Sequence, residues 1–108
     1  MLITLLKSKI YKAVVTKASL EYSGSLGIDE ALMKKSGIVQ YEKLLVVNMN
    51  TGQRFETYCI REKSGSKQFA LYGGAARLGV KGDPLIIMTF GEFTPKEADK
   101  HRPTIVNL

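Results

Sequence analysis

The chain is poor in the residue types on which much enzyme chemistry is built. It has one histidine, His101, and one cysteine, Cys59. A lone imidazole in a polar C-terminal segment gives no support to His-based nucleophilic catalysis or a multi-His metal site, and it reads as a surface residue. A lone thiol forms no internal disulfide and no cysteine zinc site. It agrees with a reducing compartment, and Cys59 reads as a small core hydrophobe. Long apolar runs are absent as well. Residues 44–47 and 85–88 make the longest, far short of the roughly 20 that a membrane helix needs. The N-terminal MLITLLKSKIYK lacks an extended apolar region and a small-residue cleavage site, so we expect a cytoplasmic protein with no membrane partner. No Gly-Lys-Ser/Thr follows the Gly73-Gly74 pair, so a P-loop is not indicated.

What is present fits one globular domain spanning residues 1–108, with 44% hydrophobic and 24% charged residues. The net charge of +6 comes from dispersed lysines rather than an aromatic-laced patch, so no nucleic-acid partner is expected. Short elements follow one another without repeats or a linker. Residues 2–11 and 12–16 carry β-branched and aliphatic side chains in partial alternation and read as strands. Residues 28–35 read as a short helix with Asp29 as N-cap and Gly37 as its stop. Residues 43–48 and 54–61 flank Asn50-Thr51-Gly52 as a hairpin. Another strand is expected at 68–71, a helical turn at the Gly73-Gly74-Ala75-Ala76-Arg77 corner, a strand at 85–90 and a proline-started helix at 95–100. About seven strands with two or three small helices point to a mainly β architecture, a barrel or sandwich.

The segment EYSGSLGID, residues 21–29, holds a Gly24-Ser25 pair. Taken alone, the pair reads as a turn. It gains meaning in company. LKSKI, YSGS followed by ID, NTGQRFETY, GSK, GGAAR, KGDPLIIM and KHRPTIV occur in this order. This series resembles the pyruvoyl-dependent aspartate decarboxylase family through nearly the whole chain.

The resemblance implies a double-psi β-barrel, a homotetramer, and self-cleavage between Gly24 and Ser25 into chains 1–24 and 25–108. In that chemistry the serine hydroxyl attacks the preceding carbonyl, the amide becomes an ester, and elimination then hydrolysis leave a pyruvoyl group derived from Ser25. Glycine at 24 suits it by leaving the carbonyl uncrowded and allowing a strained turn, and serine at 25 supplies both nucleophile and cofactor carbons. The pyruvoyl carbonyl then forms a Schiff base with the amine of L-aspartate, an electron sink for decarboxylation to β-alanine, without a metal or pyridoxal phosphate. By the same resemblance Thr57 holds the Gly24 carbonyl during cleavage and Tyr58 donates the replacement proton. Lys9, Tyr11, Tyr22, Arg54, Thr57, Tyr72, Gly73, Gly74 and Ala75 then form the substrate site. Arg54 suits a carboxylate through its planar fork, and Lys9 adds a second positive charge. Alternation puts Arg54 and Tyr58 on one strand face and Thr57 on the other, so a twist or a neighbouring chain must bring the cleavage loop to Thr57.

Two departures stand out. Tyr11 replaces a typical histidine and Tyr72 a typical asparagine, while Gly74, where alanine is usual, is expected to make room for the Tyr72 ring. These changes keep two alternatives open: a pyruvoyl-dependent decarboxylase of another amino acid, and an unprocessed binding homologue. Some members mature with an accessory protein; the sequence names none here.

Overall fold

The N-terminal stretch that reads as two strands is one, β1 (Ile3–Val14), with register shifts between Leu6 and Ser8 and between Tyr11 and Ala13. Lys12 sits at the second shift with φ 65°. The extra residue restores the inward face, so that Ser8, Ile10, Ala13 and, just beyond the strand, Val15 are all buried. The computed structural model describes residues 1–108. After β1 come β2 (Lys17–Ser19), β3 (Ser25–Asp29), α1 (Glu30–Ser36), β4 (Lys43–Asn48), β5 (Arg54–Glu62) and β6 (Phe69–Tyr72). A 3₁₀ turn (Gly73–Arg77), β7 (Pro84–Phe93), α2 (Pro95–Lys100) and β8 (Thr104–Asn107) complete the chain.

The eight strands form one sheet in the order β2-β6-β3-β5-β4-β7-β1-β8. Only Val15 and Thr16 separate β1 from β2, yet the two lie near opposite ends of that order, so the sheet curls round on itself. Backbone bonds from Val15 N–H to the Asp83 carbonyl and from Thr16 N–H to the Phe69 carbonyl, both 2.9 Å, hold the crossing. Inside lie Ile10, Leu26, Ile28, Leu44, Leu71, Leu85 and Ile87, all 0% exposed. Cys59 joins them in the core, as expected. This mainly β architecture with two short helices is compatible with a double-psi β-barrel, and neither helix is long and apolar enough to cross a membrane.

The β4–β5 hairpin forms with Gly52 at φ 76°, and α1 stops at Gly37 in the left-handed conformation. Two expectations need correction. The Gly24-Ser25 pair is not all turn, because Ser25 opens β3, and the helix begins only at Glu30, with the Asp29 carboxylate accepting from the Ala31 N–H at 2.8 Å. All five residues of β3 are buried, so it shows no alternation, and its Ser, Gly and Asp are poor strand formers. His101 is half-buried rather than a surface residue. Its Nε2 lies 2.6 Å from the Leu6 carbonyl oxygen, and its ring packs on Phe93 at 4.3 Å between centroids.

Candidate active site

Strand β3 is the middle of the site. It pairs in parallel with β5, Leu26 beside Cys59, and antiparallel with β6, Ser25 beside Tyr72. Pairing with Tyr72 on one side, with Leu26 next to it paired on both, fixes Ser25, which is 6% exposed. Gly24 precedes it at φ 77°, where a side chain would be strained although a Cβ would meet only the Tyr72 carbonyl oxygen, at 4.0 Å. Gly73 is the seat of this bend. Its own φ is 64°, and a Cβ there would lie 2.3 Å from the Gly24 nitrogen and 2.4 Å from the Tyr22 carbonyl oxygen. No other residue allows so close a backbone approach.

A groove of about 370 Å³ brings Gly24, Thr57, Tyr58, Gly74 and Ala75 together in one chain. The cleavage loop and Thr57 therefore line one groove within a single chain. A larger cavity of about 670 Å³, flanked by Val14, Leu32 and Phe69, contains none of the expected site residues.

Lys9, Tyr11 and Arg54 are not in that groove. Cross-strand partners share a face, so the register Tyr11–Ile86–Val47–Arg54 puts Tyr11 and Arg54 on one outer sheet face, with Lys9 on the adjoining row beside Met88 and Leu45. Three strand spacings separate Tyr11 from Arg54, roughly 14 Å. The Lys9 Nζ rests over the Tyr11 ring at 5.7 Å from its centroid, and the Lys12 Nζ lies 5.6 Å from it. Within one chain the two cations proposed for substrate therefore stand apart.

Tyr22 and Tyr72 form a second cluster beside the groove. Their rings meet edge-on at 4.9 Å, and the Lys17 Nζ lies 5.8 and 5.7 Å from the two centroids. The Tyr72 hydroxyl donates to the Glu62 carboxylate, at 3.1 and 3.3 Å to its two oxygens. Burial, then that hydrogen bond and the carboxylate charge, pushes the Tyr72 phenol up to about 12. Gly74 does not make room for the ring. It is exposed, with nothing within 4 Å of where its Cβ would stand. The glycine that clears space is Gly27, where a Cβ would meet the Glu62 side chain at 2.8 Å.

At the other end of β3, the Asp29 carboxylate accepts from the backbone N–H groups of Ala31, Gly65 and Lys67, each at 2.8 Å. Burial alone would raise this carboxyl, but the three donors outweigh it and, with the Lys67 charge, hold it below the usual carboxylate value. Sequence reasoning missed Glu62 and Lys17. A phenol at position 72 was the available signal, since a part-buried hydroxyl needs a partner, but only strand register brings Glu62 to it.

The family described as aspartate decarboxylase matches residues 1–108. Over 106 residues the chain is 50% identical to an aspartate 1-decarboxylase of Clostridium botulinum, covering 98% of this chain and 84% of the relative. It is 52% identical over 106 residues to that of Caldicellulosiruptor bescii, covering 98% and 83%. Against that of Phenylobacterium zucineum it is 46% identical over 108 residues, covering 100% and 92%. Matches of this length span both strands that meet at Ser25 and the groove beside them, and the chain belongs to the aspartate decarboxylase family.

Proposed function

We propose that this protein decarboxylates L-aspartate to β-alanine and carbon dioxide, using a pyruvoyl group made from Ser25 after the chain cuts itself between Gly24 and Ser25. The observation that carries the reading is the placement of Ser25: it is the first residue of a doubly paired strand, directly after a glycine at φ 77°, beside a groove that contains Thr57 and Tyr58. The fit to the group is good. Pairing from Ser25 onward keeps the new chain end in place once the bond to Gly24 is gone.

In the cut, the Ser25 Oγ adds to the Gly24 carbonyl carbon and the C–N bond opens to an ester and a free amine. Loss of the Ser25 Cα proton expels Gly24 as a carboxylate, and one water replaces the nitrogen, which leaves as ammonia. The Thr57 hydroxyl stabilises negative charge on the Gly24 carbonyl oxygen. The finished pyruvoyl supplies an electron-withdrawing carbonyl that takes up a substrate amine. The Tyr58 phenol holds the proton that replaces the carboxylate on the reacting carbon, while Gly74 and Ala75 leave the groove wall low enough for substrate to enter. Arg54 offers its guanidinium fork to a substrate carboxylate.

The separation of Lys9 and Tyr11 from Arg54 supports a site shared between copies, in which a neighbour's sheet face supplies the second cation. We accordingly assign a homotetramer, for which light scattering would give four times the 12.0 kDa chain mass. The lone, buried Cys59 supports a place in the reducing cytoplasm.

Intact mass of the denatured protein, with and without a hydrazine-type reagent, tests the cut and the carbonyl together. The expected result is two fragments, 1–24 and 25–108, with the larger shifted by the reagent and aspartate consumed in preference to other amino acids. A single unreactive 12.0 kDa chain would overturn the reading.

A further inference from the structure

The bend between β2 and β3 carries the bond to be cut, yet little holds it. Its Leu20 and Tyr22 side chains are 55% and 56% exposed, and the strand before it, β2, pairs over only three residues. Tyr72 touches both sides of that bond. Its backbone pairs with Ser25, and its ring packs against Tyr22, two residues before Gly24.

The ring orientation has its own supports. Glu62 takes the hydroxyl, and the ammonium of Lys17 lies near the faces of both tyrosines. Glu62 can reach the hydroxyl because Gly27 is bare. Glycine within a buried strand weakens it, so its presence there needs a reason, and the passing Glu62 side chain provides one.

We propose that Glu62 and Tyr72 are positioning residues for self-cleavage: their hydrogen bond locks the Tyr72 ring against Tyr22 and so sets the bend that presents the Gly24 carbonyl to Ser25. Tyr72 thereby acts on the scissile bond from outside the groove. The inference rests on the self-cleavage proposed above.

The test follows freshly purified, uncut protein by intact mass over time. Glu62→Ala and Tyr72→Phe are each expected to slow the cut about ten- to a hundredfold, the range for losing one hydrogen bond to a charged group. The double variant should be no slower than either single, because both remove the same bond. Glu62→Gln keeps an acceptor oxygen and should restore most of the rate. Gly27→Ala, which displaces Glu62 without altering either partner, should slow the cut too. In Glu62→Ala protein that has cut to completion, kcat per carbonyl and KM for aspartate should stay within about twofold of the unaltered enzyme. A Glu62→Ala variant that cuts at the unaltered rate, a double variant slower than both singles, or a raised KM would overturn the proposal. If Glu62→Ala fails to fold, the cutting rates of Tyr72→Phe and Gly27→Ala decide. Failure of the unaltered chain to cut sinks the self-cleavage reading and this inference with it; normal cutting in all three variants sinks only this one.

Discussion

The two ends of β3 are built in opposite ways. At Asp29 a buried carboxylate accepts three backbone N–H groups drawn from α1 and from the segment before β6, a closed set of charge-assisted bonds. At Ser25 the preceding backbone bends at Gly24 and passes close against Gly73, both glycines at positive φ, with exposed side chains around the bend. One end is fixed by polar satisfaction; the other turns on two residues without side chains. A bond that must break cannot be part of what holds the strand in place, and the Asp29 end supplies the hold.

Substitutions at the two ends should therefore fail differently. Ser25→Ala should abolish the cut completely while leaving the fold, giving one 12.0 kDa chain by mass with an unchanged melting transition. Asp29→Ala should do the reverse at the level of stability. It leaves three backbone donors without their acceptor, and about 3 kcal/mol should be lost by urea unfolding. If Asp29→Ala proved harmless, the contrast would collapse.

Gly24→Ala is intermediate. A positive φ costs a non-glycine residue about 1 kcal/mol, and the bend should relax toward a geometry that presents the carbonyl poorly, so slower cutting with modest destabilisation is expected.

The smallest effects are in pH. Asp29 is held below its ordinary value of 3.8, so its contribution is present above that pH and is lost as pH falls through the depressed value. Urea midpoints at pH 7, 4 and 2.5 read this loss, and Asp29→Asn should flatten it. In the alkaline range, Tyr72 is pushed from 10.0 to about 12 and Cys59 from 9.0 to about 12, both chiefly by burial. Their neutral forms favour the folded state, so stability should be full below pH 9 and fall toward pH 12. Tyr72→Phe should remove part of that fall. At neutral pH the Cys59 thiol should ignore a thiol reagent until the chain is unfolded.

Much of this could be read from local sequence. The hairpin at Asn50-Thr51-Gly52, the Asp29 cap, the Gly37 stop and the buried run of β4 each follow from residue types acting within a few positions. The order of motifs around Gly24-Ser25 pointed to the family and to the residues of the groove. What failed locally failed for identifiable reasons. β3 is buried on both faces and shows no alternation to detect. β1 looked like two strands because a bulge at Lys12 breaks its period. Gly74 was assigned the task of clearing space for Tyr72 from adjacency in sequence, whereas strand register gives a space-clearing role to Gly27, beside Glu62.

The sequence by itself determined the hairpin, the two short helices with their caps and turns, the exclusion of histidine, cysteine and P-loop chemistry, and the serine on which the proposed reaction depends, because these rest on side-chain type and near neighbours. Only the tertiary structure decided which residues meet. The curl of the sheet brings Thr57 and Gly24 to one groove, turns Tyr72 onto Glu62, and leaves Lys9 three strands from Arg54, because each of those placements depends on pairing between strands distant in sequence, where a one-residue change of register reverses every face.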